Sequence, residues 1–422
     1  MINRKPLKFF QSFAGGKLFK PLYENYSFAN IVPTISYLLT GKQTGPLLAV
    51  DCFGCVYPSP RKIVLIIIDA FGFSAWQRAQ KKVKALDRIT GEARVTPISA
   101  LFPSTTAAAI TTLNTGVLPS RHALFEWFLY LKEYCEIIQS LPFSTVGKNN
   151  YQDDLLAKGF SPENLINRTE TIFEKLASAG IPSFTFVPKS YVTSSYNQLA
   201  QKGSRTQAFR TLAEGLVNLK NLLKTAPDRS YFNLYWDKVD SISHQYGPDS
   251  DQSAAEAASF WQTFDYVFSD YKKDPETLFI FSADHGQIKT NPGEAIYLNR
   301  EVPRIDRCLK VTPAGKPIYS TGYCRDVFLH VREDKLQYLL DLLQRTLQGK
   351  ALVIRTKTAL AEGLFGPPPY SLTFLNRLGN LLILPYAGQT VWWYEKDVME
   401  VKFKGSHGGL SPEEMISVLA VA

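Results

Sequence analysis

Behind Arg61-Lys62 the chain reads Ile-Val-Leu-Ile-Ile-Ile from Ile63 to Ile68, a continuous apolar and mostly β-branched run. A run of this length bounded by charge predicts a parallel strand buried on both faces. Shorter runs of the same character predict strands at Ser183 to Val187, Tyr231 to Trp236 and Leu278 to Ser282. Helical spacing falls between them. Thr171 and Glu174 have capping-box spacing at the start of a helix that ends near Gly180. Phe209, Leu212, Leu216, Leu219 and Leu223 form one stripe, and Phe260, Trp261, Phe264, Val267 and Phe268 another. Beyond His285 the pattern becomes mixed: a strand from Tyr323 to His330, a leucine-striped helix from Leu336 to Leu347, and a half-exposed strand from Val398 to Lys404. Strands alternating with helices predict an α/β fold. Residues 1–60 read as an N-terminal arm packed on the core, 61–422 as the main domain, and 289–400 as a smaller inserted or cap region within it.

In open α/β sheets ligands collect outside the carboxyl ends of the strands, so polar residues just past each strand are the ones to inspect. Asp69 follows the first apolar run directly. After the strand ending at Trp236 comes Asp240-x-x-x-His244, a carboxylate and an imidazole one helical turn apart and able to reach one ion. After the strand ending at Ser282 comes Asp284-His285-Gly286, and after Lys404 comes Gly405-Ser-His407-Gly. The chain has only five histidines, so finding three of them behind predicted strands points to a single metal-bearing crevice. Oxygen and imidazole donors without thiolate suit zinc, with manganese as the alternative.

The stretch Leu101 to Pro119 adds a hydroxyl. Phe102-Pro103 ends an extended segment, Ser104 to Thr106 offer N-cap oxygens, and Ala107 to Ala109 favour a helix. First-turn N–H groups lack intrahelical partners and the helix dipole is positive there, so an anion would sit beside a threonine able to attack it. The aromatic stretch Arg121 to Leu131 is expected to line or cover the cleft. It contains His122, a candidate substrate contact along with Thr105.

As an ordered set these motifs resemble the type I phosphodiesterase and nucleotide pyrophosphatase family of the alkaline phosphatase superfamily, from about Arg61 to the C-terminus. The resemblance implies a three-layer α/β/α sandwich of the alkaline phosphatase type on a mixed, mainly parallel central sheet, with the inserted α+β excursion near the site. It also implies two divalent ions. Asp69, Thr106, Asp284 and His285 would hold one, and Asp240, His244 and His407 the other. Thr106, ten residues before Gly116, would be the nucleophile that forms a phosphothreonine intermediate during cleavage of phosphodiester or nucleotide pyrophosphate bonds. Family members lead one to expect an Asn three residues past the nucleophile, where this chain has Ala109. That departure leaves phosphomonoesterase, mutase and phosphonate hydrolase activities as alternatives, together with a catalytically silent metal-binding pseudoenzyme that recognises an anionic ligand.

Composition narrows the partners. Among 422 residues, 45% are hydrophobic and 20% charged, which suits a folded chain with a large core. A net charge of +9 favours anionic ligands, but 47 basic residues are interspersed with 38 acidic ones and no nucleic-acid module is recognisable. A small anionic phosphate ester is therefore the expected substrate. No apolar stretch approaches the ~20 residues needed to span a bilayer, and the N-terminus lacks the apolar core of a signal peptide. The chain thus reads as soluble and cytoplasmic, and the sequon at Asn167-Arg168-Thr169 carries no meaning without secretion. Five cysteines do not form a disulfide framework.

Overall fold

A computed structural model of the chain describes residues 1–147, 152–167, 169–269 and 276–422. The middle residue of the sequon, Arg168, lies outside the described residues. The predicted strand is Lys62–Ile68, the centre of a seven-stranded sheet. It pairs in parallel with Ser230–Trp236 on one side and Thr277–Ser282 on the other. Ser183–Pro188 and then Arg205–Phe209 extend the sheet in parallel beyond Ser230–Trp236. On the other flank Ile416–Val421 runs antiparallel to both of its neighbours, Thr277–Ser282 and Arg94–Ser99. The sheet is therefore mixed and mainly parallel.

Alternation along Lys62–Ile68 builds the layers. Val64, Ile66 and Ile68 face a core formed with Trp76, Leu216, Leu219, Phe260 and Trp261. Ile63, Leu65 and Ile67 face a second core that includes Ile31, Ile35, Leu113 and Phe173. Each strand residue from Ile63 to Ile68 is fully or almost fully buried. At roughly 1.5–3 kcal/mol per large apolar side chain, one strand stabilises both layers at once. The second core draws on the helix Ile31–Thr40, so the first sixty residues contribute to the packing of the main sheet.

A second seven-stranded sheet, antiparallel throughout, draws on two parts of the chain. Phe128–Leu131, Glu136–Gln139 and Ser144–Thr145 supply one side. Thr321–Tyr323, Asp326–Leu329, Leu381–Pro385 and Ala351–Arg355 supply the other. The two parts meet where Gly322 pairs with Phe128. This sheet lies beside the carboxyl ends of the main strands and walls the cavity described below.

Three local expectations differ from what is observed. Tyr323 to His330 is a hairpin, with Tyr323 opposite Asp326 and Cys324-Arg325 forming its tip. The tip is held by the buried Arg325 rather than by a turn-forming residue type. Val398 to Lys404 keeps its alternation only as far as Val401, with Met399 and Val401 buried but Phe403 exposed, and among the described residues it pairs only through an isolated bridge from Glu395 to Met399. Only Gly405–Ser406 pairs, with Ile288–Lys289. Phe209 closes the edge strand Arg205–Phe209, and its helix begins at Leu212.

Candidate active site

The carboxyl ends of the main strands open into a cavity of about 710 Å³. Its walls include Asp69, Thr105, Thr106, Asp240, His244 and His407. Asp284 and His285 are fully buried beneath it. Local sequence explains each placement. Asp69 and Asp284 follow central strands. Asp240 and His244 lie one turn apart on the helix Lys238–Tyr246. Gly286 permits the turn after His285, since a Cβ there would run into the Glu413 carbonyl oxygen.

The helix Thr106–Thr115 begins at the cavity, with Thr105 as its N-cap. The Thr105 hydroxyl donates to the Phe125 carbonyl at 2.8 Å and accepts from the Ala108 N–H at 3.3 Å. Thr106 projects its hydroxyl into the cluster, 3.2 Å from His285 Nε2 and 3.4 Å from Asp69 Oδ2. The segment carrying it is stitched to the His407 loop by Ser104. The Ser104 hydroxyl donates to the Gly409 carbonyl at 2.8 Å and accepts from the Gly408 N–H at 3.1 Å.

Six acids and imidazoles gather here. His285 Nε2 is 3.4 Å from Asp284 Oδ2 and 3.6 Å from Asp69 Oδ1. His244 Nε2 is 3.4 Å from Asp240 Oδ2, and His407 Nε2 is 3.7 Å from Asp240 Oδ1. Ligand atoms of Asp69, Asp284 and His285 lie within 4.8 Å of one another, as do those of Asp240, His285 and His407. His285 thus stands between two groups, with its ring stacked 3.8 Å from that of His407.

Histidine orientation is the informative detail. Each Nδ1 faces a backbone carbonyl: His244 that of Gly405 at 2.7 Å, His285 that of Gly286 at 3.0 Å, and His407 that of Ser104 at 3.0 Å. An Nδ1–H donating to a carbonyl leaves a lone pair on Nε2, the tautomer a metal ligand requires. The carboxylates are steadied as well. The Ala70 and His285 N–H groups donate to Asp284 Oδ1 at 3.1 and 3.0 Å, the Tyr235 hydroxyl to Asp69, and the Gln287 amide to Asp240.

Two of the seven predicted residues' oxygens, Asp69 Oδ1 and Asp284 Oδ2, are buried without a hydrogen-bond partner. Burial and then the charges of Asp284 and Asp240 drive the Asp69 carboxyl well above its usual range. Burial, aided by Asp240, pushes Asp284 up to about 7. Burial lowers His285 to about 4, and burial followed by the neighbouring His285 lowers His407 well below its ordinary value. At Asp240 burial is outweighed by His244, His407 and His285, and the carboxyl lies below its ordinary range. Orphaned carboxylate oxygens and three presented imidazole lone pairs fit a centre that binds divalent cations.

The model of the type I phosphodiesterase / nucleotide pyrophosphatase family matches residues 63–410. The chain belongs to this family. No curated protein matches the sequence. Among solved structures, the chain is similar to murine ectonucleotide pyrophosphatase/phosphodiesterase 5, inactive and in complex with AMP. The TM-score is 0.64 and identity 14%, covering 86% of this chain and 87% of that one. It is also similar to the human counterpart, with a TM-score of 0.61, 14% identity and 85% and 87% coverage. Phosphonoacetate hydrolase from Sinorhizobium meliloti, in complex with phosphonoformate, matches with a TM-score of 0.59, 17% identity and 86% and 91% coverage. At these identities the likeness establishes the fold, which is of the alkaline phosphatase type.

Family members are generally dinuclear metal-dependent, and the cluster supplies candidate ligand groups for such a pair. Two further sequence expectations meet a different outcome. His122 is fully buried away from the cavity walls, with Leu124 N–H donating to Nδ1 and Nε2 facing Thr112 Oγ1, each at 3.1 Å. It organises the turn after the helix rather than facing substrate. Ala109 is buried in the core with Leu113 and Ile98, while Ile110 lines the cavity. A side chain at 109 would point into packed hydrocarbon, so the missing Asn there says nothing about the phosphate subsite. Sequence reasoning passed over Tyr235 and Gln287, and read Ser104 only as an N-cap oxygen. Gln287 sits two residues past His285, and Tyr235 one residue before the end of its strand, so proximity to a motif was the available signal. No described helix is long and apolar enough to cross a membrane.

Proposed function

We propose that this chain is a two-metal phosphohydrolase that cleaves phosphodiester or nucleotide pyrophosphate bonds through a phosphothreonine intermediate on Thr106. The observation that carries this reading is the Thr106 hydroxyl at a helix N-terminus, 3.4 Å from Asp69 Oδ2 and 3.2 Å from Nε2 of His285, the residue that both groups of ligand atoms share. Asp69, Thr106, Asp284 and His285 would hold one ion and Asp240, His244 and His407 the other. Two divalent ions bound there, zinc by donor chemistry, would supply the positive charge that makes a threonine hydroxyl nucleophilic at neutral pH and offsets charge on the phosphoryl oxygens. Thr106 attacks phosphorus and the leaving oxygen departs on the opposite face. The helix N–H groups and dipole steady the oxygens of the transferred group. Water then cleaves the threonine ester and frees the hydroxyl for another cycle.

Zinc-loaded protein is expected to hydrolyse bis-p-nitrophenyl phosphate, and Thr106→Ala to abolish turnover while the chain stays folded. Full activity in Thr106→Ala would remove the nucleophile assignment. The fold likeness to phosphonoacetate hydrolase favours one second reading, hydrolysis of a phosphonate. Relative turnover of phosphonoacetate, monoester and diester separates the two.

A further inference from the structure

Two buried acids beside the cluster take no part in the scheme above. Glu126 lies two residues before the strand Phe128–Leu131, and Asp326 opens the strand Asp326–Leu329. In the second sheet these strands flank Thr321–Tyr323 on either side. Both side chains are fully buried, and Glu126 lines the same cavity as Asp69, Thr106 and His407. Asp326 reaches the site through Gly408: a Cβ on that glycine would stand 2.8 Å from Asp326 Oδ1 and 3.5 Å from Thr105 Cγ2. Asp326 therefore lies against Gly408, the residue after His407, and the same glycine abuts Thr105, the residue before Thr106.

Its hydrogen bonding does not close as two carboxylates. Glu126 Oε2 accepts from the Trp127 N–H at 2.8 Å. Glu126 Oε1 and both Asp326 oxygens have no donor, although the two groups are within hydrogen-bonding reach of each other. Carboxylates are acceptors only, so a bond between them requires a proton. Among the described residues, no cation offsets the pair. Arg325, next in sequence to Asp326, gives its donors to Glu414 at 2.9 and 2.7 Å and to the carbonyls of Tyr386 and Gln389. Burial pushes Glu126 up to about 8, and burial followed by the charge of Glu126 raises Asp326 well above its usual range.

We propose that Glu126 and Asp326 form a protonated carboxyl pair in which Asp326 donates to Glu126 and the Glu126 hydroxyl donates to a non-bridging oxygen of the phosphoryl group at Thr106. This rests on the phosphohydrolase reading above. It assigns Glu126 as a neutral hydrogen-bond donor to substrate, and Asp326 as the residue that positions it. The contact is non-covalent, and both protons stay on the pair through the reaction.

The test compares Glu126→Gln, which keeps an N–H donor and removes the acid, with Glu126→Ala, which removes the donor. On zinc-loaded protein and bis-p-nitrophenyl phosphate, the Ala variant is expected to lose on the order of 100-fold in kcat/KM, as for other single donors to a transition-state oxygen. The Gln variant should recover most of that loss, and Asp326→Asn, which also keeps a neutral partner, should resemble it. Equal loss in the Gln and Ala variants would overturn the proposal, because a carboxylate needed as an acceptor or cation ligand is not replaced by an amide. Infrared difference spectra give a second readout. Zinc-loaded wild type at pH 7 should show carbonyl absorption from protonated carboxylic acids, with one component that inorganic phosphate shifts and that is missing from Glu126→Gln, while the Asp326 component remains. No such band, or one that phosphate does not move, overturns the donor role. Wild type that hydrolyses no phosphate ester would sink the hydrolase reading alone, and the phosphate-induced shift would still decide whether Glu126 donates.

Discussion

Glu414→Ala should destabilise the fold by about 3–5 kcal/mol, the cost of leaving one partner of a buried ion pair uncompensated. Glu414 and Arg325 are both fully buried. The carboxylate accepts from Arg325 Nε at 2.9 Å and Nη2 at 2.7 Å, in the two-pronged geometry that makes such pairs strong. It also accepts from the N–H groups of Gly409 and Ser411 at 3.0 and 3.1 Å and from the Ser411 hydroxyl at 2.6 Å. Five donors therefore lose their acceptor together. Against a typical total of ~5–15 kcal/mol, the loss is large enough to be unmistakable. Equilibrium urea unfolding followed by tryptophan fluorescence measures it. The double variant Arg325→Met with Glu414→Leu should regain part of the loss, since the guanidinium is then no longer stranded, while the orphaned Gly409 and Ser411 N–H groups keep a cost of about 1–3 kcal/mol each. A loss below about 1 kcal/mol in Glu414→Ala, or a double variant worse than the single, would refute this reasoning. pH supplies a cross-check. Burial alone would raise the Glu414 carboxyl, but the Arg325 charge and the hydrogen bonds from Arg325, Ser411 and Gly409 outweigh it, so the group sits below its ordinary 4.5 in the fold. Its stabilisation is present above that ordinary value and is lost as pH falls through the folded one, and the variant should lack this part of the acid transition.

Two further outcomes are expected. His244→Ala and Asp284→Asn, drawn from the two proposed ligand sets, should each reduce metal content measured by atomic emission from about two ions per chain to about one; no change in either would count against the division into two centres. His122 is held neutral, its value lowered to about 3 chiefly by burial, so the fold should lose stability as pH falls from about 6.5 toward 3, where the unfolded chain takes up the proton first. His122→Gln should flatten that slope, and parallel slopes in wild type and variant would show that the acid sensitivity arises elsewhere.

The central strand and the ligand motifs were legible for a common reason: each is local. Ile63 to Ile68 announces burial on both faces by continuity alone, and Asp240 and His244 need only one helical turn to meet. The edge strand Arg205–Phe209 was missed because most of its side chains are exposed and polar, as an edge permits. The hairpin at Cys324-Arg325 was read through as one strand because neither residue is a turn former. Its bend is stabilised by Glu414, eighty-nine residues away. Glu126 and Asp326 could not be paired from spacing at all, since the sheet that joins them combines segments almost two hundred residues apart. His122 misled in the opposite direction. Proximity to the nucleophile helix is real, but its ring faces Thr112 rather than the cavity.

The antiparallel strand Ile416–Val421 fills the gap between Arg94–Ser99 and Thr277–Ser282. During synthesis that gap stays open until the ribosome has made residue 421, and His407 emerges only shortly before. The segments that carry Asp69, Thr106, Asp240 and Asp284 are all made earlier. The cluster is then left without the loop that Ser104 fastens. The full set of ligands is thereby assembled after the rest of the sheet has been synthesised, and the closing of the sheet becomes the event that completes the site.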